Sequence, residues 1–229
     1  MKLLVLDTST EWCSAALWLD GRVEAHRAHA GQQHSSLLLP MVDALLREHG
    51  VALRELDAIA YGAGPGSFTG LRIACAVTQG LAFGAGLPVI GVSTLESIAE
   101  QAGAEQVLTV LDARMAEVYW AAYRREGEDW RAVCAPQLAA PDTVVVPAGG
   151  TWIGAGNGFA AMTDVLRPRL APRLVRIDDT LVPDAAAMAR LAARAFGRGE
   201  AVDAALAAPI YLRDKVALTV DERRARQTA

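Results

Sequence analysis

Three stretches of the sequence carry residues whose types and spacing suit chemistry. The most specific is Gly62-Ala-Gly64-Pro65-Gly66-Ser67-Phe68-Thr69-Gly70-Leu71-Arg72, a glycine-rich turn between a short apolar run and a long apolar segment. Backbone N–H groups at a helix start hold anions, so such a turn is a candidate phosphate cradle. It lacks the Lys that a Walker A loop places before its Ser or Thr, and it does not match the dinucleotide fingerprint. From spacing alone, a tight turn that needs glycine geometry is the favoured reading. The second stretch is Asp7-Thr8-Ser9-Thr10, whose hydroxyls and backbone would embrace a phosphate across a cleft from Asp112. The third is Gly154-Ala-Gly156-Asn157-Gly158, which follows Trp152-Ile153. Turns of this kind can pack against a nucleobase, but glycine-rich loops more often only reverse the chain.

No complete catalytic set accompanies these turns. Gly91-Val92-Ser93 lacks the rest of a nucleophile elbow, and that fold places its His after the Ser. All four histidines, His26, His29, His34 and His49, precede residue 50. His26 and His29 fall on or near a predicted strand, where a spacing of three points them to opposite faces. His34 has no second ligand at a metal-binding distance in sequence.

The elements that must position these residues follow from periodicity and turn chemistry. Apolar runs at 3–6, 13–19 and 22–28, with Asp20-Gly21 between the last two, predict a three-stranded antiparallel meander. A helix is expected over 35–49, with Leu37, Leu38, Met41, Ala44 and Leu45 on one face and Pro40 near its first turn or at a kink. Then come a strand at 58–62, a helix at 69–84, a strand at 88–92 and a helix at 94–103, the alternation of an α/β fold with parallel pairing. The opening pattern returns about 105 residues later. Leu108-Thr109-Val110-Leu111-Asp112 echoes Leu3-Leu4-Val5-Leu6-Asp7, and Val118–Tyr123 forms the second strand of the copy. Two related lobes result, 1–104 and 105–229, the second made irregular by Pro136, Pro141 and Pro147.

The helix over 69–84 is apolar on nearly every face: Ile73, Ala74, Cys75, Ala76, Val77, Leu81, Ala82 and Phe83 are joined by little that is polar. Such a helix must be covered on all sides, by a large core or by another protein. Ala76, Gly80 and Gly84 at four-residue spacing also let a second backbone approach closely, which favours a subunit interface.

Composition bounds the rest. The chain has 229 residues, 52% apolar and 21% charged, enough to fold without a disulfide or a structural metal. Its N-terminal run is too short and too soon charged for a signal peptide, and no stretch is long enough for a membrane span. Three widely spaced cysteines, Cys13, Cys75 and Cys134, read as reduced thiols in a cytosolic protein. A net charge of −4 argues against strong independent binding to nucleic acid, and the basic run Arg223-Arg224 with Arg226 reads as a solvated tail.

The sequence resembles the bacterial TsaB family, also called YeaZ. The resemblance rests on Leu6-Asp7-Thr8-Ser9-Thr10 with Cys13–Trp18, His34-Ser35, Gly64–Arg72, Asp112-Ala113-Arg114 with Glu117-Val118-Tyr119, and Tyr211-Leu212-Arg213 with Val216-Ala217. It covers nearly the whole chain, and the glycine-to-helix motif is its specific part. It implies an actin-like fold of two lobes and a cytoplasmic, non-catalytic subunit that pairs with TsaD in making tRNA threonylcarbamoyladenosine. The ATPase TsaE would join the assembly, a homodimer would form in isolation, and tRNA would be met only through the complex. TsaD carries two metal-binding histidines on the helix that here begins Thr94-Leu95-Glu96-Ser97-Ile98, so the resemblance implies no metal, no tightly bound cofactor, and ATP or ADP only within the complex.

The helices over 35–49 and 69–84 are the expected TsaD contact, through Leu38, Met41, Leu45, Arg72, Ile73, Ala76, Val77 and Gly80. A nucleotide, if one binds, is expected near Asp7, Thr8, Ser9, Asp112, Gly154 and Gly156. The alternatives are an actin-fold small-molecule kinase or ATPase built on Asp7, Thr8 and Asp112, against which stands the missing glycine of the first phosphate turn, and, behind it, a metallopeptidase.

Overall fold

The computed structural model describes residues 1–213, so Val216-Ala217 and the basic run of the tail lie outside the described residues. The first half contains strands β1 (Lys2–Asp7), β2 (Trp12–Leu19) and β3 (Arg22–His29), helix α1 (His34–Glu48), β4 (Ala58–Gly64), α2 (Phe68–Ala85), β5 (Val89–Ser93) and α3 (Thr94–Gln101). The second contains β6 (Gln106–Asp112), β7 (Val118–Glu126), β8 (Asp129–Ala139), β9 (Ile153–Ala155), α4 (Gly158–Ala161), α5 (Thr163–Leu170), β10 (Ile177–Asp178) and α6 (Ala185–Gly197).

These strands form two five-stranded sheets, ordered β3-β2-β1-β4-β5 and β8-β7-β6-β9-β10. In each, the first three strands are an antiparallel meander and the last two add in parallel. The repeat legible in the sequence is therefore a repeat of topology, with β1 and β6 in the same central place. The Asp20-Gly21 hairpin is present, and both residues have positive φ, as a tight turn between twisted strands requires. Pro136 falls in β8, an edge strand whose register with β7 is irregular, where a missing N–H is tolerated.

Each central strand is buried on both faces, which is why it reads as a continuous apolar run. Leu4 and Leu6 of β1 face a core shared with α1 and α2, while Leu3 and Val5 face α6. The second sheet packs α3 on one face and α4 and α5 on the other. Packing does not follow chain order: α6, encoded in the second half, covers the first sheet and also meets α3. Its inward positions are mostly alanine, small enough for a helix to lie close to a sheet and another helix at once. Pro40 sits well inside α1, not at its start, and is exposed there, so its missing N–H breaks no contact with the core.

One buried carboxylate ties this crossing together. The Glu100 side chain is 4% exposed. It accepts from Arg194 at 2.9 Å and from the Trp130 indole at 2.7 Å, with Arg190 and Arg125 beside it. Burial by itself would raise its pKa, but the Arg194 and Trp130 hydrogen bonds outweigh burial and hold it below the usual carboxylate value. Removing one member of such a group leaves buried charge unpaired, so Glu100→Gln is expected to cost about 3 kcal/mol of stability at neutral pH, measured by urea unfolding.

Candidate functional site

The glycine-rich turn is shaped by what lies inside the chain. A Cβ at Gly70 would sit 1.8 Å from the Thr8 carbonyl oxygen, one at Gly66 2.6 Å from that of Ser9, and one at Gly64 2.6 Å from that of Ile210. The start of α2 is thus pressed onto the β1–β2 turn. Thr8 Oγ1 donates to the Gly70 carbonyl at 2.7 Å, the Ser67 N–H donates to the Ser9 carbonyl at 2.7 Å, and Ser67 caps α2 through the Gly70 N–H. The tight-turn reading is the one the geometry supports.

The residues proposed to embrace a phosphate are brought together but are engaged elsewhere. Asp7 and Thr8 are fully buried and Ser9 is 2% exposed. The Ser9 hydroxyl donates to Asp7 at 3.1 Å. Among the described residues Asp7 Oδ1 has no partner, and it faces Gly62, where a Cβ would lie 2.1 Å away. Burial pushes the Asp7 carboxyl up to about 7, against the opposing pull of the Ser9 hydrogen bonds. Asp112, across the cleft, accepts from the Arg114 N–H at 2.8 Å and pairs with its guanidinium. Gly154 and Gly156 are also packing residues: a Cβ at either would enter Phe159 or the Val110 carbonyl. Asp7, Thr8, Gly154 and Gly156 are packed against their own chain and do not line the cleft, whereas Ser9 and Asp112 do.

A cleft of about 660 Å³ does lie between the lobes, lined by Thr10, Thr69, Asp112, Asn157, Tyr211 and Arg213 among others. Residues 208–213 run across its mouth. The Ile210 N–H donates to Ala63, whereas Arg213 reaches Glu117 at 2.8 Å and the Ala113 carbonyl at 2.9 Å. Arg213 thereby braces Arg114, Met115 and Ala116, three successive non-glycine residues with positive φ. The separate motifs at 112–117 and 211–213 are thus parts of one contact.

The other candidate surface is α2 itself. Leu71, Ala74, Cys75, Thr78 and Ala82 point inward. Thr69, Arg72, Ala76, Gly80, Phe83 and Gly84 are exposed, with Ile73, Val77 and Leu81 half-buried beside them. Phe83 is 62% exposed, and the neighbouring Leu206, on a turn anchored by Gln79, is 69% exposed. Among the described residues, a Cβ on Gly80 or Gly84 would meet nothing within 4 Å, so none of them requires glycine there. The contribution expected of α1 needs correction: Leu38 and Leu45 are fully buried in the chain's own core, out of reach of any partner. Met41 is half-buried, and Leu39, which the helical pattern had not singled out, is 47% exposed. Phe83 and Tyr211, read above as parts of the apolar helix and of the family motif, and Leu206 were not among the residues expected at the contact, although Phe83 lies a helical turn beyond Gly80.

His26 faces Glu48 at 2.8 Å, His29 packs edge-on against Trp12, and the buried His34 ring meets the Thr10 carbonyl. Among the described residues, no group of three metal-ligating side chains converges and no helix is long and apolar enough to cross a membrane.

The duplicated five-stranded order, with helices on both sides of each sheet and a cleft between the two, is an actin-like fold. Residues 26–219 match the family model for TsaD, tRNA N6-adenosine threonylcarbamoyltransferase. Within that class the chain belongs to the TsaB (YeaZ) family. It is 42% identical over 227 residues to the tRNA threonylcarbamoyladenosine biosynthesis protein TsaB of Escherichia coli, covering 95% of this chain and 96% of the relative. It is 37% identical to the TsaB of Haemophilus influenzae, over 94% of this chain and 95% of the relative. The solved YeaZ of Pseudomonas aeruginosa superposes with a TM-score of 0.84 at 44% identity, covering 92% of this chain and 99% of that one.

Two carboxyls, the fully buried Asp7 and the half-buried Glu96, set a pH dependence. Burial also pushes Glu96 up to about 7, against the attraction of Arg194 and Arg198. Both groups keep a proton in the folded chain at pH values where the unfolded chain has lost it, so folding takes up protons. Their stabilisation is complete below the unfolded carboxylate value and is lost as pH rises through about 7. Thermal unfolding of Asp7→Asn is expected to show a smaller fall in stability between pH 5 and 8 than the unsubstituted chain.

Proposed function

We propose that this chain is a non-catalytic subunit of the machinery that makes tRNA threonylcarbamoyladenosine, and that it works by docking the outward face of α2 against a TsaD-type catalytic protein. The observation that carries the reading is the pair Gly80 and Gly84. Glycine in an exposed helix interior costs about 1 kcal/mol relative to alanine, and no atom of the described residues lies close enough to require it. Glycine at those positions lets a second helix backbone come near, and Phe83 supplies an aromatic anchor beside it. Ile73, Ala76, Val77 and Met41 extend the contact, with Leu39 in place of Leu38 and Leu45.

The non-catalytic part of the reading is supported by the residues themselves. Helix α3 begins Thr94-Leu95-Glu96-Ser97-Ile98, with no histidine. Asp7 and Thr8 are closed off from the cleft. In the absence of the catalytic partner, the same apolar face would close a homodimer, because a two-fold contact hides it. A TsaE-type ATPase and tRNA would then be met through the heterodimer, in the cytoplasm, with any ATP or ADP held by the assembly.

The direct test is size-exclusion chromatography with light scattering on the chain alone and mixed with its cognate TsaD-type protein. A homodimer that converts to a stable heterodimer supports the reading; a chain that stays apart from the catalytic protein contradicts it. Ala76→Glu is expected to leave the fold intact and to abolish the heterodimer. Gly80→Ala is expected to raise the unfolding free energy of the monomer by roughly 0.5–1 kcal/mol while weakening association. Association at unchanged strength in Gly80→Ala would remove the reason given for the glycine.

A further inference from the structure

The exposed face of α2 carries a single ionic side chain, Arg72, at its N-terminal end. Its guanidinium lies over the Phe68 ring, 3.6 Å from the centroid, and its Nε donates to the Tyr211 hydroxyl at 2.9 Å. Tyr211 leans on Phe68 with ring centroids 5.2 Å apart. Two residues on, Arg213 pins the same strap to Glu117 in the other lobe. Arg72 is therefore held in place by a stack and a hydrogen bond contributed by its own chain. Its two terminal nitrogens form no ion pair among the described residues, and they make the planar fork that suits a carboxylate. A side chain ordered before binding loses less entropy on meeting its partner.

We propose that Arg72 is a receptor for an Asp or Glu side chain of the TsaD-type partner, and that it selects the heterodimer over the homodimer. The proposal rests on the docking reading above. The selection follows from the carboxylates a second copy of this chain would offer. Helix α2 contains no Asp or Glu. Those of α1 are already engaged, Asp43 by Arg47 and Glu48 by His26. A homodimer formed through α1 and α2 thus offers Arg72 only carboxylates that already have a partner within their own chain, whereas a partner carrying an unpaired one gains a charge-assisted pair.

The experiment measures two dissociation constants for the full chain: the homodimer by sedimentation, and the heterodimer with the cognate catalytic protein by calorimetry. Arg72→Lys keeps the charge and loses the fork, Arg72→Gln loses both, and Tyr211→Phe loses only the hydrogen bond that orients the guanidinium. Arg72→Lys and Arg72→Gln are expected to weaken the heterodimer about tenfold or more, leaving the homodimer within about twofold, and Tyr211→Phe to weaken the heterodimer about threefold. A heterodimer unchanged in both Arg72 variants overturns the proposal, and so does a homodimer that weakens in parallel. Arg72 variants that keep the protein pair but lose tRNA binding by the complex would assign the arginine to RNA phosphate and overturn it equally. An unsubstituted chain that forms no heterodimer would instead overturn the docking reading itself.

Discussion

The close approach of Gly70 to the Thr8 carbonyl is the constraint on which the rest of the molecule depends. With any side chain at Gly70 the two backbones would collide, since even a Cβ would lie 1.8 Å from the oxygen. The contact fixes where α2 starts and seals the turn after β1. The hydroxyls of that turn are engaged within the chain, that of Thr8 by the Gly70 carbonyl and that of Ser9 by the Asp7 carboxylate. The same contact sets the axis of α2 and so decides which residues face outward. The burial of the β1–β2 turn and the outward exposure of Ala76, Gly80 and Phe83 are two results of one packing contact.

The outward face of α2 is braced by elements distant in sequence. Helix α6 lies across the first sheet and meets α3, with Glu100 binding arginines from both α6 and β7. The strap at 208–213 crosses the cleft and joins the start of α2 to the turn after β6. A contact that buries apolar area and one oriented arginine gains most when the surfaces are formed in advance. The two lobes therefore serve as a frame for α2, with the cleft bridged at its mouth.

Much of this was legible in the sequence. The meander, its Asp20-Gly21 hairpin and the return of the pattern at Leu108 follow from local chemistry, and each appears in the sheets. The all-round apolar character of α2 pointed to a surface needing cover, and Ala76 and Gly80 stand on it. What was illegible depended on neighbours. Leu38 and Leu45 recur on one helical face, but periodicity does not say whether that face meets the chain's own core or another protein. The pattern of α6 shows an apolar stripe without saying which sheet receives it. The glycines of 154–156 looked like a ligand turn because a glycine that admits a base and one that admits Phe159 are the same letter.

Hydrogen exchange on the chain alone and in a mixture with its cognate TsaD-type protein tests most directly whether α2 is the docking surface. New protection is expected along residues 69–84 and on the Leu39–Met41 side of α1, with the interior of the cleft unchanged. Protection confined to the cleft, around residues 9–11 and 112–115, with α2 exchanging as in the free chain, would contradict it.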